Sequence, residues 1–559
     1  MMLTFIHTYT AESFPGLRES GLWRDGDGLK LMHKPEYLPP HDFNYSAAVG
    51  SPLEKLLREL DCPFYIDRLQ GGIGFTRDYP YDRALTAHYR AMLGEKFLGF
   101  QMHEWASNLR SDEKRIRELF EKEKLDEKSP EARRRLWEGV NRGALSLFLE
   151  AYSPAAWEKL LPSENLAEFL HGAEALYALR ARETEGLLFP ADSYYMAPQI
   201  EIENGAGLLL PEVGWQIPNL RFQIAFTRGM ANAAGIPWGI YFECWQNTRN
   251  SGFTIPFSLR EGQDEWLEDQ LHCGNGCQLP PQRREHGGVS LSLAARAWRF
   301  ALFSGARFFG EEYGVCNTFR ELRDFTLSPY GEMKKDFLRF AETFDDLGEP
   351  FVPIAAVLPK EMRIVDICFG GDCLGYPFTD SACPLPPEKM REFIACIEKI
   401  FGVRGKLGNY GHVLKTGGLP AVCDVIYEDM PEAMNRYDYL MDLTGKDNLS
   451  AGFHNVVTAR EAKTILSDML PFITDERLLC AYNRSKSGWF ALIMNNDGIL
   501  HDGFAADVLL PEATVDAPLR FARENRSLRK LAGTGELYSV GESAAVSMKA
   551  GEWLLLAVN

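Results

Sequence analysis

Short apolar runs alternate with helical stretches through the first 350 residues of the chain. The runs are LTFIHTY (3–9), FYIDR (64–68), FLGFQMHEW (97–105), LLFPADSYY (187–195), GLLLPEVGW (207–215), WGIYFECW (238–245) and RFFGEEYG (307–314). Each has the length of a buried strand and ends in polar or aromatic residues. Between them, 82–93, 165–183, 219–234 and 290–303 carry apolar residues at spacings of three and four, the last reading SLSLAARAWRFALF, which predicts amphipathic helices. A β-then-α alternation builds a parallel sheet, and over this length a (β/α)8 TIM barrel occupying 1–350. The connections are short except for 106–186, which predicts a helical insertion with one hidden strand near LSLFLEAY (145–152).

A helix predicted at 329–346 is followed by FVPIAAVLP (351–359), a helix at 387–401, the run AVCDVIYED (421–429) and a helix at 459–470. These predict a small α/β domain, flavodoxin-like in layout, over 351–472. From 473 the texture becomes β: LLCAYNR, WFALIMNN, ADVLLPEA, AAVSMKA and GEWLLLAVN alternate with turn residues such as Asn496, Asp497 and Gly498. A C-terminal β-sandwich over 473–559 is expected.

Composition narrows the class of protein. The 559 residues are 45% hydrophobic and 25% charged, ordinary values for a globular chain, and no window is apolar for the roughly 18 residues that a membrane span needs. The N-terminus, MMLTFIHTYTAESFPG, lacks the basic and apolar regions of a secretory signal. Eleven cysteines, an odd number, sit mostly one by one in apolar segments, as Cys244, Cys316, Cys396, Cys423 and Cys480 do, and read as free thiols. A cytoplasmic protein is expected. The net charge of −18 offers no basic face for a phosphate backbone, so nucleic acid is not an expected partner.

Barrel enzymes collect reactive groups at the C-terminal ends of their strands. Here those ends carry Glu104, Asp192, Glu212, Glu243 and the pair Glu311 and Glu312, with Trp105, Tyr194, Trp215, Trp245 and Tyr313 close behind. One strand-end carboxylate is more often a surface or loop-anchoring group. Five such ends with adjoining aromatics are harder to dismiss, because glycosidic cleavage needs two carboxylates across an oxocarbenium-like transition state and sugar rings stack on aromatic planes. Other chemistries lose their motifs: no two of the eleven histidines lie within four residues of each other, against a histidine-rich metal site, and neither a G-x-S-x-G elbow nor a phosphate-binding loop occurs. His272, Cys273, Cys277 and His286 fall in a Gly-rich stretch whose C-x₃-C spacing lacks a second pair, so that stretch reads as an ordinary loop and no metal or other cofactor is assigned.

From PWGIYFECWQ (237–246) through SLAARAWRFALFSGARFFGEEYG (292–314) to FVPIAAVLP, the order of elements resembles clan A glycoside hydrolases, most closely the layout of family 42 β-galactosidases. The resemblance implies that FECW is strand seven with Glu243 as nucleophile and that FFGEEYG is strand eight. It also implies an acid/base in an Asn-Glu pair after strand four. This chain has no matching Asn-Glu and offers His103-Glu104 in its place; FLGFQMHEW is strand four counted backwards and strand three counted forwards.

The expected activity is a retaining, exo-acting glycoside hydrolase for small saccharides, with Glu243 as nucleophile and Glu104 as acid/base, Glu212 standing in reserve. His103, Asn108, Asp192, Tyr194, Glu212, Trp215, Trp245 and Glu311 are the expected substrate-binding residues. An inverting hydrolase or transglycosidase on the same barrel, or a non-catalytic sugar-binding protein, are the rivals. The expected partners are a small saccharide and, at most, further copies of the chain, with no membrane and no nucleic acid.

Overall fold

The computed structural model describes residues 3–32, 43–67, 82–103, 184–191, 198–214, 220–243, 291–312, 318–362, 418–500 and 508–559, apart from a few positions within them, and short pieces of 105–182 and 395–402. Its first sheet has eight parallel strands: β1 (Thr4–Thr8), β2 (Gly28–Met32), β3 (Phe64–Asp67), β4 (Phe97–His103), β5 (Leu188–Ala191), β6 (Glu212–Gly214), β7 (Gly239–Glu243) and β8 (Phe308–Glu312). They pair in the order β5-β4-β3-β2-β1-β8-β7-β6. The first strand therefore bonds to the last, as a TIM barrel requires. Only the β5–β6 seam lacks ladder bonds among the described residues. Pro190 lies on β5 and Pro211 just before β6; proline supplies no N–H to a ladder and belongs on sheet edges.

Seven of the eight strands fall on the predicted runs. The exception is β2, GLKLM, a five-residue segment whose central Lys30 breaks the apolar run. The hidden strand expected near 145–152, and most of the insertion 106–186, lie outside the described residues. Counting β2 in, FLGFQMH is strand four.

Period-two alternation sorts each strand into an inner and an outer face. Ile6, Tyr65, Phe189, Ala191, Leu208, Leu210 and Tyr241 form the apolar plug inside the barrel. Phe5, Leu29, Phe64, Phe100, Val213, Ile240 and Phe309 belong to the larger core, which the flanking helices share. Helix Leu291–Phe303 contributes Trp298, fully buried, whose ring stands edge-on to Phe242 with centroids 5.5 Å apart. Gly239 is required by close approach: a Cβ there would lie 1.8 Å from the carbonyl oxygen of Phe308 on the adjoining strand.

A three-stranded parallel sheet follows, with Ile354–Leu358 in the middle, Cys423–Tyr427 on one side and Tyr439–Asp442 on the other. Among the described residues the first strand is central and the next two flank it, which is how a flavodoxin-like sheet begins. It packs on helix Leu220–Ala234: Gly229 lets the helix approach the backbone of Val425, and Arg228 pairs with buried Asp424 at 2.6 Å. The C-terminal region contains one sheet ordered Glu349–Pro350, Leu478–Ser485, Gly488–Asn495, Trp553–Val558, Leu528–Gly533 and another ordered Phe472–Ile473, Val515–Phe521, Ser543–Met548, Glu536–Val540. Leu478–Asn483 are buried without interruption, as expected of a strand covered on both faces. The barrel's helix Leu291–Phe303 meets this part of the chain: Asn483 Nδ2 donates to the Phe303 carbonyl at 2.9 Å, and the Arg299 guanidinium lies 4.4 Å from the centre of the Trp553 ring. No helix among the described residues is long and apolar enough to cross a membrane, and Cys62, Cys396, Cys423 and Cys480 are free.

On the outer face of β1, His7 is buried and its Nε2 lies 3.3 Å from Asp27 Oδ2. Burial, then the charge of Lys334, push the imidazole below its ordinary value, against the opposing pull of Asp27 and Glu311. Burial alone would raise the Asp27 carboxyl, but His7 and Arg24 hold it below the usual carboxylate range. In the window around pH 5–7 the unfolded chain thus takes up a proton on His7 that the folded chain refuses. Stability due to this group is full above the unfolded value of about 6.5 and is lost as pH falls below it. Thermal melting should show a lower Tm at pH 5 than at pH 7, with the difference reduced in His7→Gln; an unchanged difference would place the acid sensitivity elsewhere.

Candidate active site

The inner faces of the strands carry a polar layer above the apolar plug. From β2 comes Lys30, from β3 Asp67, from β4 Gln101 and His103, from β6 Glu212, from β7 Tyr241 and from β8 Glu312, all buried. A lysine inside a barrel needs a partner. Lys30 Nζ donates to Asp67 Oδ2 and, at 3.0 Å, to the Tyr241 hydroxyl, while that hydroxyl donates to the same Asp67 oxygen at 2.8 Å. Gly310 on β8 makes room for this group, because a Cβ there would come within 3.0 Å of the Tyr65 hydroxyl and 3.2 Å of the Tyr241 ring. Burial, followed by the charges of Asp67 and Glu311, raises the Tyr65 hydroxyl well above its ordinary value, so it stays protonated.

His103 stands across from this group, its ring centroid 5.6 Å from that of Tyr241. Its Nε2 lies 3.4 Å from Glu312 Oε1 and 3.9 Å from Glu212 Oε1. One ligand atom from each of His103, Glu212 and Glu312 lies within 4.8 Å of the others. Such a set could hold a small divalent cation, or an imidazole proton shared between two carboxylates. Either way it is an acceptor-rich lining of the kind that sugar hydroxyls need as donors.

The expected site residues distribute as follows. His103 and Glu212 face the barrel interior and approach each other. Glu243 ends β7, and its backbone is in register with Glu312 on one side and Gly214 on the other. Glu104, Asn108, Asp192, Tyr194, Trp215 and Trp245 lie outside the described residues. Glu311 faces the other way: Oε1 accepts from the Tyr330 hydroxyl at 2.6 Å and Oε2 accepts from Lys334 Nζ at 2.5 Å, both groups on the helix Pro329–Thr343 that covers the barrel's exterior. Alternation requires this, since Glu312 points inward and neighbours on a strand take opposite faces. Four inner residues are absent from the sequence expectation: Lys30, Asp67, Gln101 and Tyr241. Asp67 ends FYID just as Glu243 ends GIYFE, so the strand-end rule reaches it without further information.

No family model matches the chain, and no curated protein does. Among solved structures it is similar to alpha-L-fucosidase isoenzyme 2 from Paenibacillus thiaminolyticus, with a TM-score of 0.44 and 8% identity, over 100% of this chain and 99% of that one. It is similar to a beta-galactosidase from Bacillus circulans sp. alkalophilus, with a TM-score of 0.41 and 9% identity, over 99% and 98% of the two chains. A beta-galactosidase from the Antarctic haloarchaeon Halorubrum lacusprofundi gives a TM-score of 0.40 and 9% identity over 100% and 99%.

The two faces of β8 separate by mutation. Glu311→Gln removes the charge paired with buried Lys334 and should cost stability, about 3 kcal/mol or more, as breaking a buried ion pair does, while the activity of the folded fraction stays within about threefold of wild type. Glu312→Gln should leave Tm nearly unchanged and lower kcat/KM by about 100-fold. Denaturant melts and initial rates on both variants test this, and a reversal of the two effects would overturn the inner and outer assignment.

Proposed function

We propose that the chain is a retaining glycoside hydrolase acting on small glycosides or oligosaccharides from one end. The observation that carries the reading is the convergence of Asp67, His103, Glu212 and Glu312 on the barrel interior, three of them at the C-terminal ends of their strands and Glu212 at the start of β6 in register with Tyr241, with Glu243 ending the strand between those of Glu212 and Glu312. Glycosidic cleavage needs paired carboxylates with hydroxyl-binding groups around them, and this is the end of the barrel where loops close a pocket.

In the proposed mechanism a Glu243 carboxylate oxygen attacks the anomeric carbon as the bond to the leaving oxygen breaks, and Glu104 gives that oxygen its proton. Glu104 then takes a proton from water, whose oxygen displaces Glu243 and restores the original anomeric configuration. His103 and Glu212 bind sugar hydroxyls, Asn108 and Asp192 supply further polar contacts, and Tyr194, Trp215 and Trp245 cover ring faces.

Glu212 has a competing claim to the acid/base role, favoured by its inward position 3.9 Å from His103. The two are distinguished chemically, because an acid/base matters most when the leaving group is poor. Of Glu104→Gly and Glu212→Gly, the variant lacking the true acid/base should retain most activity on a dinitrophenyl glycoside, lose about 100-fold or more on an alkyl glycoside, and yield a glycosyl azide with retained configuration when azide is added. The other variant should lose activity on both substrates alike.

The nucleophile is tested by Glu243→Gln, which should fold normally and lower kcat by a factor on the order of 10³ or more. Residual activity near about a tenth of wild type would move the nucleophile to another carboxylate. NMR of the first-formed product should show retention; inversion would make the enzyme an inverting hydrolase, and saccharide binding without turnover of any aryl glycoside would make the chain a sugar-binding protein.

A further inference from the structure

The Asp67 carboxylate is used on one side only. Oδ2 accepts from both Lys30 Nζ and the Tyr241 hydroxyl, whereas Oδ1 has no hydrogen-bond partner among the described residues, although the side chain is fully buried. A buried carboxylate oxygen without a donor is costly, so such an atom at the end of a barrel strand points to a donor that arrives with a ligand. Thr8 Oγ1, at the end of β1, is likewise buried and without a partner among the described residues. Thr8 is in register with Lys30, and Lys30 with Tyr65, two residues below Asp67 on β3. Strands β1 to β3 thus carry three interior polar atoms awaiting partners, Asp67 Oδ1, Thr8 Oγ1 and the Tyr65 hydroxyl, on the barrel interior that also holds His103, Glu212 and Glu312.

From this geometry we infer that Asp67 is a specificity-determining residue whose Oδ1 accepts a hydrogen bond from one particular sugar hydroxyl. Lys30 and Tyr241, both drawn to Oδ2, fix the rotation of the carboxyl and keep Oδ1 for the ligand. A ring that lacks this hydroxyl, or carries an acceptor in its place, leaves Oδ1 without a donor, and rejection of such analogues is what a site built around a buried polar atom achieves. The inference rests on the hydrolase reading only in taking the ligand to be a saccharide.

Phenyl 1-thioglycosides of D-galactose and D-glucose, with their monodeoxy analogues, bind without being readily cleaved, so calorimetry on the full chain reads affinity independently of turnover. For wild type, removal of one hydroxyl should weaken binding by about 10- to 100-fold, the value of a hydrogen bond to a charged group. In Asp67→Asn the parent thioglycoside should lose a similar factor, and deleting that same hydroxyl should then cost less than about threefold. Should Asp67→Asn fail to fold, Lys30→Met/Asp67→Leu removes both charges together, a replacement that buried ion pairs often tolerate, and it should show the same loss of coupling. Equal hydroxyl dependence in wild type and variants, or no binding of any thioglycoside to wild type, overturns the inference. Rates on the matching aryl glycosides separate it from the hydrolase reading. Coupling at Asp67 without turnover leaves this inference standing and removes the hydrolase, whereas turnover with no coupling does the reverse.

Discussion

Lys30 is the group around which the upper interior of the barrel is arranged. Its ammonium lies where β2 would otherwise contribute an aliphatic side chain to the plug, and an unpaired charge there would not be tolerated. Asp67 and Tyr241 satisfy it, joining β2, β3 and β7 across the interior. Below this level the barrel is filled with Ile6, Phe189, Leu208 and Leu210, and above it the lining is polar. The Lys30 group therefore marks the boundary between the part of the barrel that gives stability and the part that can hold a ligand. It also joins the strand that ends in Glu243 to the opposite wall through a side chain two residues earlier.

The same alternation that makes this boundary divides neighbouring carboxylates between two tasks. Glu311 and Glu312 are adjacent and both buried, yet one holds Lys334 and Tyr330 against the barrel's exterior while the other approaches His103 inside. The GEEYG motif contains both glutamates, and a reading by motif has no means to choose between them. A reading by strand parity does, provided that one inward residue on the strand is already known; Gly310, beneath the rings of Tyr65 and Tyr241, supplies it.

Much of the architecture was legible because long buried strands of a parallel barrel are apolar on both faces and stand out from their flanking helices. FLGFQMH and GIYFE are of that kind up to the polar residues that end them. GLKLM is not, since its inward residue is charged, and the strand becomes recognisable only once Asp67 is seen to neutralise it and Tyr241 to accept its hydrogen bond. In the C-terminal sheets the same difficulty takes another form. Val515–Phe521 alternates cleanly between buried and exposed residues but contains Pro518, and Leu528–Gly533 is half-exposed with four charged or small residues, so neither gives a continuous apolar run. The site was legible to the extent that it depends on strand ends: His103 ends β4 and meets Glu212, which opens the short β6, inside the barrel. What depends on which face of a strand a residue takes, or on a partner three strands away, is fixed by barrel closure and does not appear in local pattern.

Barrel closure also explains why the outer charge network and the inner one belong to a single design problem. Strands β1 and β8 are the first and last of the barrel, and their pairing brings together segments about 300 residues apart in sequence. On the outside, His7 and Asp27 are held near β1, and Glu311 ties β8 to the covering helix through Lys334. On the inside, Thr8 and Glu312 extend from the same two strands beside those residues. A shift of β8 along β1 by one residue would turn Glu311 into the interior and Glu312 against Lys334's side of the wall, exchanging a paired charge for a misplaced one. The ion pairs outside the barrel thus need not add much net stability to be useful. By penalising every register but one, they fix which carboxylate faces the pocket, and so bear on the chemistry without touching the ligand.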